Sequence, residues 1–432
     1  MVTAVHKLQG AGGFGVADSY WIALASIGSN SVQCKAVAID SAGDIVVCGF
    51  TAYLSGGFVA KYDKDGTLLW SRSIYSGANT EFIQRIATDS SNNIIVVGSS
   101  GSNLVVVKYN SSGTLQWQKT VSTNGLWGVA TDSSDNILLM GPAAGVSGSS
   151  DQAVIKLNSS GTGLWGKILG GVATEQGIGG IAVDSSDNVI VVGATDSDGA
   201  GSNDCLIAKY NSSGTLLWDV TLGTSGQDYA RAVTTDSSGN IYICGPSVVG
   251  GGSYDLLTAK YNSSGTLQWA RTLGGSAQEA TLVPLGVAVD SSGNVFSICN
   301  SASDGSGGDD ILIAKYNSSG TLQWDKNLGG TTADYGHGVV IDARGNVIIC
   351  GSTYSAGLGI PDALIAKLPS DGSGNGTYGN MVYQDAVLTD AAFTGTSAAA
   401  VLTDGTTSST TSNASLSDAA LSFTETFYPI TI

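Results

Sequence analysis

The amino-acid sequence predicts an all-β protein: a seven-bladed β-propeller closed by an N-terminal strand, with a C-terminal β-rich tail. Three observations support this prediction. Two short motifs recur along the chain, each repeat unit has the pattern of four antiparallel strands, and the first strand stands in register with one that the last unit lacks.

The first motif ends in a tryptophan. Residues 109–117 read YNSSGTLQW, and nearly the same letters return at 261–269 and 316–324, with weaker copies elsewhere. A seventh copy begins at Lys367 but lacks its tryptophan. We expect these tryptophans to pack between blades. Together with one that precedes the first unit, they are Trp21, Trp70, Trp117, Trp165, Trp218, Trp269 and Trp324.

The second motif is clearest at Val287–Val295, which reads VAVDSSGNV. Its aspartate recurs at intervals of 43 to 54 residues: Asp40, Asp89, Asp132, Asp184, Asp236, Asp290 and Asp342. Within a unit, apolar residues alternate with polar ones around two turns, which is typical of two hairpins. Four short strands in about fifty residues match one propeller blade, and seven units fall within the usual range of four to eight blades.

The two ends of the chain predict a closed ring. Trp21 precedes Asp40 by 19 residues, the spacing by which Trp70 and Trp165 precede their next aspartates. The strand from Tyr20 to Leu24 therefore completes the seventh unit, and closure removes open sheet edges. We divide the chain into an N-terminal extension (1–18), the propeller (19–376) and a C-terminal tail (377–432).

The composition of the chain argues against nucleic acid and a membrane as partners. A net charge of −17 repels a phosphate backbone, which disfavours nucleic acid. The sequence shows no signal-peptide pattern and no apolar run near the roughly 20 residues that span a bilayer. We expect synthesis in a cytoplasm without a secretion signal, and no membrane insertion. Four of the six cysteines share one apolar repeat position, which favours free buried thiols over disulfides.

The tail is rich in Ala, Ser, Thr and Gly, and Ala386–Asp390 is echoed by Ala400–Asp404. Such a segment buries too little apolar surface to fold alone. We expect it to pack on another copy or on a larger assembly.

The segments VAVDSSGN at 287–294 and AKYNSSGTLQW at 314–324 resemble the SBBP-type β-propeller repeats of bacterial surface proteins and of structural proteins of tailed bacteriophages. The resemblance covers about residues 19–372. It implies a propeller and suggests a virion protein that is made in the host cytoplasm and is anchored through residues 377–432 to other virion proteins or to copies of itself. It implies no particular activity, because propellers carry unrelated functions.

One propeller face carries the near-identical turns, and the other carries the loops that vary. On this variable-loop face, just before each innermost strand, we expect an acidic rim around the channel that binds a cation or sugar hydroxyls beside aromatic stacking surfaces. Its residues are Glu81, Glu175, Asp228, Glu279 and Asp334, with Phe82, Tyr229 and Tyr335. The alternative is that these acids accept backbone N–H bonds in tight turns.

A second acidic cluster contains Asp196, Asp198 and Asp204, spaced somewhat like a calcium loop. Calcium needs six to eight oxygen ligands, and the distal Glu of an EF-hand is absent, so a solvated Asp-Gly turn is the alternative. Beyond this candidate calcium site, we expect no cofactor.

Seven lysines share one repeat position, and we expect each to pair with the Asp of a neighbouring blade rather than to bind a ligand. They are Lys61, Lys108, Lys156, Lys209, Lys260, Lys315 and Lys367.

Catalytic residues are few. The two histidines, His6 and His337, assemble no Ser-His-Asp triad or two-histidine metal site in the sequence. We expect a non-enzymatic virion protein of a tailed bacteriophage, from its tail or tail fibre, that binds a host surface glycan or a protein through the variable-loop face. The alternatives are a polysaccharide-acting enzyme that uses the acidic rim, and a bacterial surface or scaffold propeller.

Overall fold

The computed structural model describes residues 20–26, 31–51, 56–75, 81–100, 103–121, 128–144, 150–177, 179–248, 252–280, 285–355, 360–394, 396–399, 403–406, 411–413, 417–420 and 424–429. These residues form strands and turns, and no helix among them is long and apolar enough to cross a membrane. The predicted all-β class is confirmed. The N-terminal extension lies outside the described residues.

The chain opens with β1 (Trp21–Ser26) and then forms seven blades. Blade one contains β2 (Val32–Ile39), β3 (Ile45–Thr51), β4 (Gly56–Tyr62) and β5 (Leu68–Tyr75). Blade two contains β6 (Glu81–Thr88), β7 (Ile94–Ser100), β8 (Asn103–Tyr109) and β9 (Leu115–Val121). Blade three contains β10 (Gly128–Thr131), β11 (Ile137–Ala144), β12 (Ser150–Leu157) and β13 (Gly163–Gly170). Blade four contains β14 (Glu175–Gln176), β15 (Ile181–Val183), β16 (Val189–Thr195), β17 (Asp204–Tyr210) and β18 (Leu216–Gly223).

Blade five contains β19 (Ala232–Thr235), β20 (Ile241–Val248), β21 (Tyr254–Tyr261) and β22 (Leu267–Gly274). Blade six contains β23 (Gly286–Val289), β24 (Val295–Ser301), β25 (Asp310–Tyr316) and β26 (Leu322–Gly329). Blade seven contains β27 (Asp334–Ile341), β28 (Val347–Thr353) and β29 (Asp362–Leu368). Each blade is antiparallel in sequence order, and the innermost strands contact one another in succession until β27 meets β2.

The closing strand lies where the sequence predicts. β1 pairs antiparallel with β29, and Trp21 lies opposite Lys367. The same pairing joins Trp117 to Lys108 inside blade two. Blade seven therefore obtains its fourth strand from the other end of the chain, which confirms the predicted closure.

Both repeated motifs are turns closed by a side-chain oxygen. Asp40 Oδ1 accepts hydrogen bonds from the backbone N–H groups of Ala42 and Asp44, at 2.9 and 3.0 Å. Asn110 Oδ1 does the same for Thr114 at 2.8 Å. The fourth turn residue has a positive φ, which explains Gly113 (77°) and an Asn or Asp at some inner turns. The turn chemistry is therefore fixed by Asp, Asn and Gly.

The repeated lysines are structural, as expected, but their acidic partner is not the expected one. Lys108 Nζ lies 2.8 Å from Asp89 of its own blade, and it also donates to the Ser159 carbonyl of the next blade at 3.3 Å. The expectation of a neighbouring blade's Asp is therefore wrong. The same own-blade pairing occurs for Lys61, Lys156, Lys209 and Lys367.

In blades five and six the lysine faces an aromatic ring instead. Lys260 Nζ lies 5.2 Å from the ring centroid of Tyr242, and Lys315 Nζ lies 5.1 Å from that of Phe296. Tyr242 itself donates a hydrogen bond at 2.9 Å to Asp236, the acid that this lysine would otherwise pair with.

The tryptophans join neighbouring blades. Trp70 Nε1 donates to the carbonyl of Ser111 at 3.1 Å, and its ring covers Gly113, where an added Cβ would approach Trp70 Cδ2 to 2.6 Å. This contact confirms the predicted packing between blades. The repeated tryptophans are half-buried, whereas Trp21 is only 4% exposed. All six cysteines are buried free thiols, as predicted.

The C-terminal tail forms further strands on the same sheets. They are β30 (Gly376–Tyr378), β31 (Met381–Asp385), β32 (Thr389–Ala392), β33 (Thr396–Ala399), β34 (Thr403–Thr406), β35 (Thr411–Asn413), β36 (Ser417–Ala420) and β37 (Thr424–Pro429). From β31 to β36 they pair in turn with the outer strands of blades six, five, four, three, two and one. β37 then pairs with β1 of blade seven. We call β31 to β37 the belt, because these strands follow the whole circumference of the ring.

The belt is itself a repeat with a period of seven residues. Every seventh belt residue, counted from Tyr383, lies opposite the residue that follows a blade's tryptophan by four places. The pairs are Tyr383 with Leu328, Asp390 with Leu273, Ser397 with Leu222, Asp404 with Leu169, Thr411 with Val121, Asp418 with Ile74, and Glu425 with Ala25. One seven-residue unit thus serves each blade.

The belt corrects the expectation for the tail. The sequence led us to expect that residues 377–432 order themselves on another copy or on a larger assembly. The described belt strands pair instead with the propeller of their own chain. The backbone hydrogen bonds of seven sheet edges supply the order that the tail's apolar content cannot.

Candidate functional site

Four of the five predicted rim acids are buried. Glu175, Asp228, Glu279 and Asp334 each have no exposed surface, so the expected exposed acidic rim is wrong for them. Each accepts a hydrogen bond from the backbone N–H four residues earlier, as Asp334 does from Gly330 at 2.7 Å. The structural alternative therefore describes them correctly. Glu81 begins β6, and its side chain lies outside the described residues.

These acids fasten the link between blades. The Asp334 carboxylate also accepts a hydrogen bond from Ser355 at 2.9 Å, and Glu175 accepts one from Thr195 at 3.0 Å. Ser355 follows β28 and Thr195 ends β16, so each donor lies at the end of the strand next to the innermost one. One carboxylate thereby holds together the incoming link and the adjacent strand end.

A second buried acid lies beside the rim acid in several blades. Asp310, at the start of β25, is fully buried, and burial raises its pKa to about 7, with the charges of Asp334 and Asp304 adding to the increase. Burial and the charge of Glu279 likewise raise the pKa of Asp255 to about 6. Neighbouring carboxyl groups in a low-dielectric setting favour the protonated form.

The predicted calcium cluster does not assemble. Asp204 is 1% exposed and accepts the Gly201 N–H at 3.1 Å, while Asp198 accepts the Gly199 N–H at 2.9 Å. Within the described part of the chain, no group of three or more His, Cys, Asp or Glu side chains is placed to hold a metal ion. Asp198 therefore fits the alternative of an Asp-Gly turn, Asp204 is a buried acceptor of a turn N–H, and Asp196 is exposed.

Each predicted aromatic residue has a second ring beside it. Phe82 meets Phe50 edge to face, with centroids 5.1 Å apart. Tyr229 lies 6.4 Å from Tyr254, and Tyr335 lies 6.2 Å from Tyr354. Phe82 is 39% exposed, whereas Tyr229 is 5% exposed. The Phe50–Phe82 pair is therefore the most solvent-accessible of the three aromatic pairs.

Basic residues also lie at inner positions of several blades, where the sequence predicted none. The position five residues before the repeated aspartate holds Lys35 in blade one, Arg231 in blade five and His337 in blade seven. In blades one and seven a β-bulge falls at this residue, since the register shifts between Cys34 and Ala36 and between Gly336 and Gly338. A bulge re-aims the side chain. Arg85 lies one residue after the corresponding bulge in blade two.

Lys35 and His337 contact each other at the centre of the ring, and the charge of Arg85 acts on both Lys35 and Arg231. Lys35 Nζ is 3.1 Å from His337 Nε2, which must be the acceptor when Lys35 is charged. Burial lowers the pKa of Lys35 to about 8, and the charge of Arg85 adds to the decrease. Burial also lowers the pKa of Arg231 to about 10, again with a contribution from Arg85. We call Lys35, Arg85, Arg231 and His337 the basic cluster.

Aromatic rings border the basic cluster. Lys35 Nζ lies 5.3 Å from the ring centroid of Phe50, and the guanidinium of Arg231 lies 5.1 Å from that of Tyr229. Two of the aromatic pairs of the variable-loop face therefore touch the cluster. A sequence signal for this cluster exists: when the seven repeats are aligned on their aspartates, Lys35, Arg231 and His337 occupy the same repeat position.

Family models agree with this architecture. A model described as "Beta-propeller repeat" matches residues 222–247, and a model described as "Domain of unknown function (DUF5122) beta-propeller" matches residues 185–216. The chain is a β-propeller repeat protein. No curated protein matches the propeller.

Solved structures resemble the propeller distantly. A protein of unknown function from Bacteroides caccae shares 16% identity, with 58% of this chain and 93% of that chain covered and a TM-score of 0.38. The extracellular domains 1–2 of Drosophila Semaphorin 1a share 10% identity, with 80% and 88% covered and a TM-score of 0.45. Sqt1 from Chaetomium thermophilum shares 12% identity, with 79% and 96% covered and a TM-score of 0.44.

Proposed function

We propose that this propeller is a non-enzymatic structural component of a tailed bacteriophage particle, in its tail or tail fibre, that binds a host surface or a neighbouring protein through the variable-loop face. The resemblance of its repeats to those of phage structural proteins motivates the setting. The binding role is supported chiefly by the Phe50–Phe82 pair, because Phe82 is exposed and aromatic residues are enriched at protein interfaces.

Four of the five rim acids on which the alternative of a polysaccharide-acting enzyme rests are buried. Its acid and base were expected among the rim acids, but Glu175 and Asp334 are fully buried and accept backbone N–H groups. A glycosidase needs two carboxyl groups that reach the scissile bond.

In the virion proposal, attachment to neighbours uses the outward edge of the belt strands rather than a free tail.

Two measurements test the proposal separately. Mass spectrometry of purified particles should find this chain at a fixed copy number, and its absence from particles would overturn the virion setting in favour of a bacterial surface or scaffold protein. For the binding role, Phe82→Ala should weaken adsorption of the purified protein to host cells. Leu217→Ala is the matched control, since Leu217 is 50% exposed but lies on an outer strand. Equal adsorption of both variants would contradict the binding face.

A further inference from the structure

The basic cluster concentrates positive charge inside an acidic protein. The whole chain carries 18 Lys and Arg against 35 Asp and Glu, yet two Arg and one Lys, with one of the two His as a hydrogen-bond acceptor, come from inner positions of blades one, two, five and seven. Like charges in a partly desolvated site oppose one another. Their repulsion therefore opposes folding unless a negative group lies among them.

The described surroundings of two members contain no compensating carboxylate. Lys35 contacts His337 Nε2 and the Phe50 ring. The Arg85 guanidinium donates to the carbonyl of Gln84 at 2.9 Å. Within the described residues, neither Lys35 nor Arg85 forms an ion pair with Asp or Glu, in contrast to Lys108 with Asp89. Buried cations are ordinarily matched by a negative group.

Solvent reaches these side chains. Lys35 and Arg85 both keep intermediate exposure although they lie on innermost strands at the centre of the ring. A side chain that is surrounded by protein and still wetted lines a passage rather than a sealed core. The cluster is therefore open to solvent from within the ring.

We propose that the basic cluster is a binding site for a small organic anion, whose carboxylate or phosphate group is held by Lys35, Arg85, Arg231 and His337. Arg presents a planar fork that fits both oxyanions, and Lys adds a compact charge. Phe50 and Tyr229 lie against Lys35 and Arg231, so they flank the remainder of the ligand with apolar rings. The inference stands apart from the virion proposal, because it concerns the isolated chain.

The experiment is calorimetric titration of the purified full chain at constant ionic strength, with inorganic phosphate and with citrate as the two probes. We expect saturable binding of at least one probe. Binding of phosphate alone assigns a phosphate-bearing ligand, and binding of citrate alone assigns a carboxylate. Absence of saturable binding by both overturns the proposal.

Variants separate a binding role from a purely structural one. Lys35→Gln and Arg85→Gln should each weaken binding by about tenfold or more, because each removes a charge-assisted hydrogen bond. Without ligand, Lys35→Gln should melt at the same temperature as the parent or higher, since it relieves repulsion. The control is Lys64→Gln, whose side chain is exposed and pairs with Asp65. Unchanged affinity in Lys35→Gln, or equal loss in Lys64→Gln, would contradict the assignment, and Lys35→Gln still decides the matter if Arg85→Gln does not fold.

Discussion

Ala25, in the first strand of the described chain, lies opposite Glu425, in the last. The closing strand β1 is therefore held on both sides, by β29 and by β37. The belt that ends at β37 has already paired with the other six blades. Deleting residues 377–432 should consequently expose the outer edges of all seven sheets.

We expect the truncated protein to melt at a lower temperature and to self-associate, because unpaired strand edges accept other strands. Light scattering and thermal unfolding measure both effects. A synthetic peptide of residues 377–432 should restore the monomer when added in excess, and a scrambled peptide of the same composition should not. A truncated protein that stays monomeric and equally stable would show that the belt is dispensable.

Trp21→Ala should destabilise the ring more than Trp269→Ala. Trp21 is 4% exposed, so its truncation should cost about 3–5 kcal/mol of unfolding free energy. Trp269 is half-buried and should cost about 1–3 kcal/mol, mainly from lost apolar contact and its hydrogen bond to Ser318. Denaturant unfolding gives both values. A negligible loss in Trp21→Ala would be incompatible with its role in closure.

Lys108→Met should cost about 3–5 kcal/mol, because it leaves the buried Asp89 carboxylate without its partner at 2.8 Å. Lys260→Met is the matched control. Lys260 contacts the Tyr242 ring and the Ser318 carbonyl instead of a carboxylate, so its loss should be markedly smaller. Equal losses would show that the ion pair adds nothing to the packing of the lysine stem.

Gly113→Ala should destabilise more than Gly43→Ala. Both residues have a positive φ, 77° and 84°, so both variants carry backbone strain of about 1–2 kcal/mol. An added Cβ at Gly113 also approaches Trp70 to 2.6 Å, whereas at Gly43 nothing lies within 4 Å. The difference in unfolding free energy should be about 1 kcal/mol or more from overpacking. Identical values would mean that the Trp70 ring shifts without cost.

Stability should fall as pH rises from about 4 to about 8. The pKa of Asp310 is raised to about 7 in the folded protein, by burial and by neighbouring carboxyl groups. The folded state therefore binds a proton that the unfolded state releases near the ordinary Asp pKa, and the stabilisation present at low pH disappears through pH 7. Asp310→Asn should reduce this decline by about 1–3 kcal/mol.

Thermal unfolding between pH 4 and 8 measures the effect. Asp65→Asn, at an exposed turn, is the control and should leave the pH profile unchanged.

Below pH 4, stability should instead fall as pH falls, because of acids such as Asp89. Burial alone would raise its pKa, but Lys108 and Asn93 lower it, so stability is lost as this carboxylate becomes protonated. A parent profile that is flat from pH 4 to 8 would contradict the protonated state of Asp310.

Individual residues show which structural features could be predicted from the sequence. Trp21 and the repeated Asp and Asn turns were placed correctly, since local turn chemistry and spacing act through the backbone. The rim acids were located on the right links but given the wrong environment. Sequence position cannot tell whether Asp334 faces solvent or accepts the Gly330 N–H, because that depends on how the link folds back.

The sequence by itself determined the number of blades, the strands within each blade and the closing strand, because period-two patterning and turn residues are local signals. The tertiary structure alone showed where the belt pairs and where the basic cluster forms. Belt pairing follows from the unpaired backbone edges of the outer strands, and the seven-residue period of the tail does not by itself reveal that partner. The cluster depends on strands from four blades that meet only after the ring has closed.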